Sequence, residues 1–368
     1  MAITGGEFGF IDRIRQWIGT GGKSVALGIG DDAAVLLPPP GKLLAACDML
    51  VEGVHFVKEH ISPWQLGWKA LAVNISDIAA MGGVPLFALV SMGLADWVDD
   101  AYVEGIYKGM LDIGERFGVE LVGGDTVSSP NAMVINIAIL GSTNSPVTRS
   151  GAEPGHLIAV TGCLGKSAAG LAFLQKMGHV QGITWSNTRD AKSGVTPAGL
   201  SQVVAERGTE SPDREFEADW IDELIKAHLE PMPRVREGRA LASTGVVSAM
   251  MDISDGLAGE AHHIARESKV GVVIREDAVP IGYSTLLAAG CWESDPLEWA
   301  LSGGEDFELV FTFPPESTDT VRGALSDIGG SMHIVGHITP ETEGVILVRR
   351  DGAKENLPCK GYDHFSRT

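Results

Sequence analysis

The chain has 368 residues, 44% of them hydrophobic and 6% aromatic, with 47 glycines and a formal charge of −20. That length and composition fit a globular chain of two ordinary domains and exclude a fibrous or disordered one. The acidity opposes binding to nucleic acid or anionic membranes, and no basic run exceeds Arg349-Arg350. Cys47, Cys163, Cys291 and Cys359 lie far apart without a Cys-x-x-Cys pair, which sets aside a zinc ribbon, a redox dithiol and a disulfide framework. No basic stretch followed by an apolar run opens the chain, and no apolar stretch approaches the ~20 residues of a membrane span. Neither a signal peptide nor a membrane partner is expected, and cytoplasm is the expected location.

In chain order, Ser24 to Ile29 and Ala33 to Leu37 read as short strands around a Gly-Asp-Asp turn. Leu43 to Ala46 reads as a strand ending at Asp48. Ser62 as N-cap and Pro63 at the first helical position start a helix that runs to about Met81 and stops at Gly82-Gly83. A second helix covers about Asp100 to Phe117, and Val119 to Val122 and Met133 to Leu140 are strands. The Pro/Gly/Ser-rich stretch from Ser145 to Gly155 marks a domain boundary, dividing 1–148 from 149–368. Beyond it come a strand at Leu157 to Thr161, a helix from Ser167, a polar insertion at about 178–218, and a helix at Trp220 to His228. A strand at Val246 to Met250 leads to Asp252, followed by the helix Leu257 to Ser268.

The aspartates carry the chemistry. Gly30-Asp31-Asp32 closes one strand, Asp48 and Gly123-Gly124-Asp125 end two others, and Asp252-Ile-Ser254-Asp255-Gly256 ends a fourth. Strand ends are where α/β sheets assemble sites, and carboxylates gathered without lysines call for hard divalent cations such as magnesium. Asp77 is the sharper case: it lies on the nearly all-apolar helix Lys69 to Met81, sharing a face with Asn74. A buried carboxylate is costly unless paired or metal-bound. Asp and Gly are also ordinary turn residues, and each motif alone is weak. Thr161 to Ser167 follows a strand and opens a helix, but its glycines are three apart where a P-loop needs five. A helix N-terminus with free backbone N–H groups remains, as a weak phosphate candidate. Ser302-Gly-Gly-Glu305-Asp306 reads as a turn with two carboxylates. No Gly-x-Ser-x-Gly elbow supports a hydrolase triad.

Together the motifs resemble a known family. Gly6-Glu-Phe, Gly28-Ile-Gly-Asp-Asp-Ala33, Asp48 to Phe56, Lys69 to Gly82, Gly123-Gly-Asp-Thr126 and Thr148-Arg-Ser-Gly151 come in order. Asp252-Ile-Ser-Asp-Gly-Leu257, Ser302 to Leu309 and Lys360-Gly-Tyr-Asp-His-Phe365 follow. The chain is similar, except at 178–218, to the thiamine-monophosphate kinase family within the aminoimidazole ribonucleotide synthetase superfamily. The resemblance implies a two-domain α+β protomer, with an N-terminal mixed sheet through which it dimerises and a C-terminal α/β domain. It implies ATP-dependent phosphorylation of thiamine monophosphate, several magnesium ions bridging the phosphates, and no catalytic nucleophile. By motif, Asp32, Asp48, Asp77, Asp125, Asp252 and Asp255 would be metal ligands, with Asp31 able to share the role of Asp32. Gly124, Asp125, Arg149 and Ser254 would contact ATP; His55, Glu305 and Tyr362 would contact thiamine monophosphate. Cys47 replaces the hydroxyl residue the family tends to carry before Asp48, and a neutral thiol is a poor magnesium ligand.

Two other readings stand beside this one. Another ATP-dependent enzyme of the superfamily is the nearer, and the Ser302–Asp306 turn and the C-terminal Gly-Tyr-Asp-His-Phe stand against it. The other is an inactive nucleotide- or metal-binding module, against which stand the six retained aspartates.

Overall fold

The computed structural model describes residues 6–19, 22, 24–29, 32–37, 39–177 and 214–359. These fall into two units, Met1–Pro146 and Val147–Thr368.

In the first unit, helix α1 (Gly6–Ile18) precedes a short antiparallel pair, β1 (Val25–Leu27) and β2 (Val35–Leu36). Then come β3 (Lys42–Val51), α2 (Pro63–Ala80), β4 (Val84–Ala95), α3 (Asp100–Phe117), β5 (Glu120–Ser129) and β6 (Val134–Thr143). The sheet order is β3-β6-β4-β5, and only β4 and β5 run parallel. Helix α2 starts as its sequence dictates. Ser62 Oγ accepts from Gln65 N–H at 3.1 Å and Gln65 Oε1 accepts from Ser62 N–H at 3.1 Å, a reciprocal capping box. Asp99 caps α3 by accepting from Tyr102 N–H at 2.9 Å. A Cβ on Gly67 would run into the Ile106 carbonyl, and one on Gly109 into that of Trp64. The two helices therefore touch backbone to backbone. Beneath them Leu71, Ile75 and Ile78 of α2 and Ile106, Met110 and Ile113 of α3 are buried, as are Ile135, Ile137 and Ile139 of β6. Each such side chain contributes roughly 1.5–3 kcal/mol.

Two strands overrun their expected ends. β3 pairs with β6 over ten residues, from Lys42 to Val51, so Asp48 lies inside the strand, not at its end. β5 likewise runs to Ser129 alongside β4, which leaves Asp125 mid-strand. In both cases a partner distant in sequence extends the ladder past the glycine or aspartate that reads locally as a stop.

The second unit contains β7 (Leu157–Val160), α4 (Lys166–Met177), α5 (Arg214–Leu229), α6 (Val235–Ser243), β8 (Ala249–Asp252) and α7 (Leu257–Ser268). It continues with β9 (Val270–Arg275), α8 (Tyr283–Trp292), α9 (Pro296–Ser302), β10 (Leu309–Phe313), α10 (Thr318–Ser326), β11 (His333–Pro340), β12 (Val345–Val348) and β13 (Lys354–Asn356). The sheet order is β13-β12-β9-β11-β7-β10-β8. Only β12 and β9 pair in parallel, so the sheet of this unit is mixed and mostly antiparallel. Its core joins Ile158, Val160, Met251, Val272 and Val310 of the sheet to Leu257, Ala261 and Ile264 of α7. Helix α5 begins at Arg214, inside the stretch that reads as insertion; 178–213 lies outside the described residues. Thr148 already belongs to this unit, its carbonyl accepting from Met250 N–H at 2.9 Å. No described helix is long and apolar enough to cross a membrane.

Candidate active site

In the first unit, Asp77 lies on the one solvent-touching position of α2 between Leu66 and Ala80, all of whose other residues are buried. That opening lets the carboxylate face a ligand, whereas its neighbours hold the core. One turn before it, Asn74 is 1% exposed. Its Nδ2 donates to the Ala70 carbonyl at 3.0 Å and its Oδ1 accepts from Asp48 N–H at 2.9 Å. Asn74 thus ties the middle of β3 to α2 and brings Asp48 and Asp77 to the same side of the sheet. Burial holds the Asp48 carboxyl above its ordinary range, so a cation would be welcome there.

Asp125 is placed differently. The register aligns it with Ser91, Asn136 and Met49, while Asp48 aligns with Ile137, Val90 and Gly124. Residues opposite one another share a face, so Asp125 and Asp48 lie on opposite faces. Gly124 has a packing role of its own, since a Cβ there would strike the Val90 carbonyl. The Cys47 thiol also lies away from Asp48, donating to Asn136 Oδ1 at 3.2 Å. Asp32 is exposed in a bend between β1 and β2. His55 is fixed by Val51, whose N–H donates to its Nδ1 at 3.1 Å. Asp31 and Tyr362 lie outside the described residues.

In the second unit two turns are laced together. Glu305 N–H donates to the Ser254 carbonyl at 2.7 Å, Phe307 N–H to that of Ile253 at 2.9 Å, and Ile253 N–H to that of Glu308 at 2.8 Å. A Cβ on Gly304 would stand 2.5 Å from the Ser254 oxygen, so only glycine lets the turns approach this closely. Asp252, Ser254, Asp255 and Glu305 are thereby brought together at the ends of β8 and β10. Asp252 is 4% exposed. Glu260 of α7 braces this cluster: its Oε1 accepts from Ser254 N–H at 3.1 Å and Asp255 N–H at 3.0 Å. Burial, with Asp252 and Asp255 adding repulsion, pushes its carboxyl up to about 8. Its Oε2 is buried without a hydrogen-bond partner among the described residues. Arg149 is exposed on the Thr148–Gly151 segment. Burial lowers the pKa of His263, Arg149 lowers it further and Asp255 opposes both, which places Arg149 and Asp255 about one imidazole.

The α4 N-terminus departs from expectation. The carboxylate of Asp306 accepts from Gly165 N–H at 2.7 Å and Ser167 N–H at 3.2 Å. A side chain from another turn already fills the place a phosphate would take. Burial raises the Asp306 carboxyl to about 7, against those two backbone donors. Next to it Glu308, 5% exposed, accepts from Arg234 Nε and from Thr161 Oγ1, both at 2.7 Å.

Glu260, Arg234 and His228, whose Nδ1 lies 3.0 Å from Ser167 Oγ, are the residues a sequence reading misses; for Asn74 and Asp306 it misses only the partners. Glu260 had a signal, an acid among Leu257, Ala258, Gly259 and Ala261, the same sign that marks Asp77. The others are single polar residues whose partners are 26 to 141 positions away. Among the described residues, no three His, Cys, Asp or Glu side chains converge as a ready metal cage.

Comparison with known proteins fits this arrangement. Residues 30–143 match the AIR synthase related protein, N-terminal domain, and residues 185–349 match the corresponding C-terminal domain. Thiamine-monophosphate kinase of Escherichia coli K12 is 37% identical over 98% of both chains. The crystal structure of thiamine-monophosphate kinase from Stenotrophomonas maltophilia K279a is 28% identical, with a TM-score of 0.75 over 96% of this chain and 98% of that one. AaThiL complexed with AMPPCP and TMP is 32% identical, with a TM-score of 0.70 over 98% and 97%. With this identity along nearly its whole length, the chain belongs to the thiamine-monophosphate kinase family.

Proposed function

We propose that the protein transfers the γ-phosphoryl group of ATP to the phosphate of thiamine monophosphate, giving thiamine diphosphate, in the cytoplasm. The observation that carries this reading is the 37% identity over 98% of both chains to a thiamine-monophosphate kinase. The carboxylates suit magnesium, a hard ion usually held by one or two carboxylates with phosphates and water. Two observations favour such an ion: the burial that raises Asp48 and the unpartnered Glu260 Oε2 near Asp252 and Asp255. Asp32, Asp48 and Asp77 of the first unit and Asp252 and Asp255 of the second would hold the ions, with Asp125, on the opposite face of the sheet from Asp48, holding one apart from it. Bound magnesium supplies charge neutralisation between two phosphates that otherwise repel.

The chain's own groups bind and orient. Arg149 offers a guanidinium to phosphate, and Ser254 and Gly124 contact the nucleotide. His55 accepts the Val51 N–H on Nδ1, so its neutral ring carries its proton on Nε2 and donates from there to the substrate. Glu305 sets a carboxylate against the cationic thiazolium, and Tyr362 completes the substrate set. The acceptor is a phosphate oxygen with a second pKa of about 6, already ionised at neutral pH, so no general base is needed. Transfer is direct, and chirally labelled γ-phosphate is expected to emerge inverted. Retention would point to a phosphoenzyme instead.

The active form is a homodimer. One face of the first unit's sheet exposes Leu43 (58%), Met49 (50%), Leu89 (39%) and Val127 (56%), an apolar surface for a second copy to cover. Met49→Lys is expected to shift the sedimentation coefficient from dimer to monomer. The function itself is tested by incubating purified protein with ATP, magnesium and thiamine monophosphate. Thiamine diphosphate is the expected product. Turnover of aminoimidazole precursors instead would place the chain elsewhere in the superfamily.

A further inference from the structure

We infer that His228 is a positioning residue for Glu305, aiming that carboxylate at the thiazolium of thiamine monophosphate. The inference rests on the reading above, in which Glu305 touches the substrate. Glu305 has a left-handed backbone, with φ 57°. That region is unfavourable for a residue with a Cβ and persists only where the surroundings impose it. They do so on three sides. The Glu305 N–H is held by the Ser254 carbonyl, the next residue, Asp306, is pinned to the start of α4, and the side chain meets His228.

Glu305 Oε2 lies 3.2 Å from His228 Nδ1, and Ser167 Oγ lies 3.0 Å from the same nitrogen. An ionised carboxylate only accepts, so Nδ1 carries the proton and shares it between the two oxygens. His228 and Ser167 are 5% and 1% exposed, whereas the Glu305 side chain is 29% exposed. A buried donor therefore grips one end of a carboxylate that opens outward. The segment from His228 to Arg234 holds both ends of the acidic run: His228 grips Glu305 and Arg234 grips Glu308. The run cannot swing without breaking a buried contact.

Steady-state kinetics on the full-length protein test this, varying ATP and thiamine monophosphate separately. His228→Leu is expected to raise the KM for thiamine monophosphate about tenfold, the scale of one charge-assisted hydrogen bond, while the KM for ATP stays within about twofold. His228→Asn, which keeps a donor, should recover most of the loss. On a Glu305→Gln background, His228→Leu should add little. His228→Met, with a flexible side chain of similar bulk, replaces leucine if that variant does not fold. An unmoved KM for thiamine monophosphate, an equal rise in both KM values, or full additivity with Glu305→Gln would overturn the inference while wild-type turnover upholds the functional reading. Wild-type protein inactive on thiamine monophosphate would sink that reading, and this inference with it.

Discussion

The two units hold their aspartates by opposite means. In the first, Asp48, Asp77 and Asp125 sit on regular strands and a helix, and the ladder and the core fix their directions. In the second, Asp252 closes β8, whereas Asp255 and Glu305 sit on irregular turns. Those turns are held by further acids: Glu260 accepts from Ser254 and Asp255, Asp306 caps α4, and Glu308 pairs with Arg234. A regular element satisfies its own backbone groups, so its functional residues need few helpers. A turn at the end of a sheet leaves N–H groups unmet, and carboxylates are the side chains that accept from several at once. The number of acidic residues in a site region therefore overstates the number that meet the ligand.

The largest effect expected from this contrast is functional and falls on the first unit. Asp77→Asn should lower kcat on the order of a thousandfold, because the amide keeps the shape but loses the charge a cation needs. The melting temperature should stay within about 2 °C, since α2 holds the position without it. A large loss of stability would show that Asp77 is a structural residue and erase the distinction.

Next comes a structural effect in the second unit. Arg234→Leu leaves Glu308 buried and unpaired, a loss of about 3–5 kcal/mol, readable in urea unfolding. A loss below about 1 kcal/mol would mean that the turn carrying Glu305 does not depend on the pair.

A smaller effect follows from Asp306. Its carboxyl titrates at about 7 in the folded protein against an ordinary 3.8. Below about pH 4 both states hold the proton. Between about 4 and 7 the unfolded chain has released it and the folded one has not, so rising pH lowers stability there by at most about 1.4 kcal/mol per unit. Asp306→Asn lacks this proton. The stability difference between wild type and variant should shrink as pH rises through that window, and parallel curves would refute the assignment. The smallest effect returns to the first unit: Ser62→Ala removes the α2 cap and should cost about 1 kcal/mol with kcat unchanged. A fall in kcat would tie the start of α2 to the site.

What could be read from the sequence follows the same divide. Ser62-Pro63, the span of α3 from Asp100 to Phe117, and α7 from Leu257 to Ser268 are local signals, and each element forms where they say. Glycines mark Asp31-Asp32, Asp125 and Asp255, whereas Asp48 shows as a strand end and Asp77 as an acid on an apolar helix. β4 carries no local signal: Val84 to Ala95 is apolar almost throughout, as befits a strand with neighbours on both sides and little polar alternation. The inner positions of Asp48 and Asp125 were hidden because strand length is set by partners far along the chain. The partners of His228, Arg234 and Asp306 are hidden for a related reason. A buried polar contact leaves no periodicity, and Gly165 and Asp306 are 141 positions apart.

Asn74 carries one more consequence. β3 is an outer strand of the described sheet, and outer strands advertise unmet N–H groups to any passing chain. At Asp48 that group is already taken by an amide from α2, so a foreign strand zipping along this border would stall halfway. The side chain that orders the neighbourhood of Asp48 and Asp77 is thereby also a guard against sheet growth along β3.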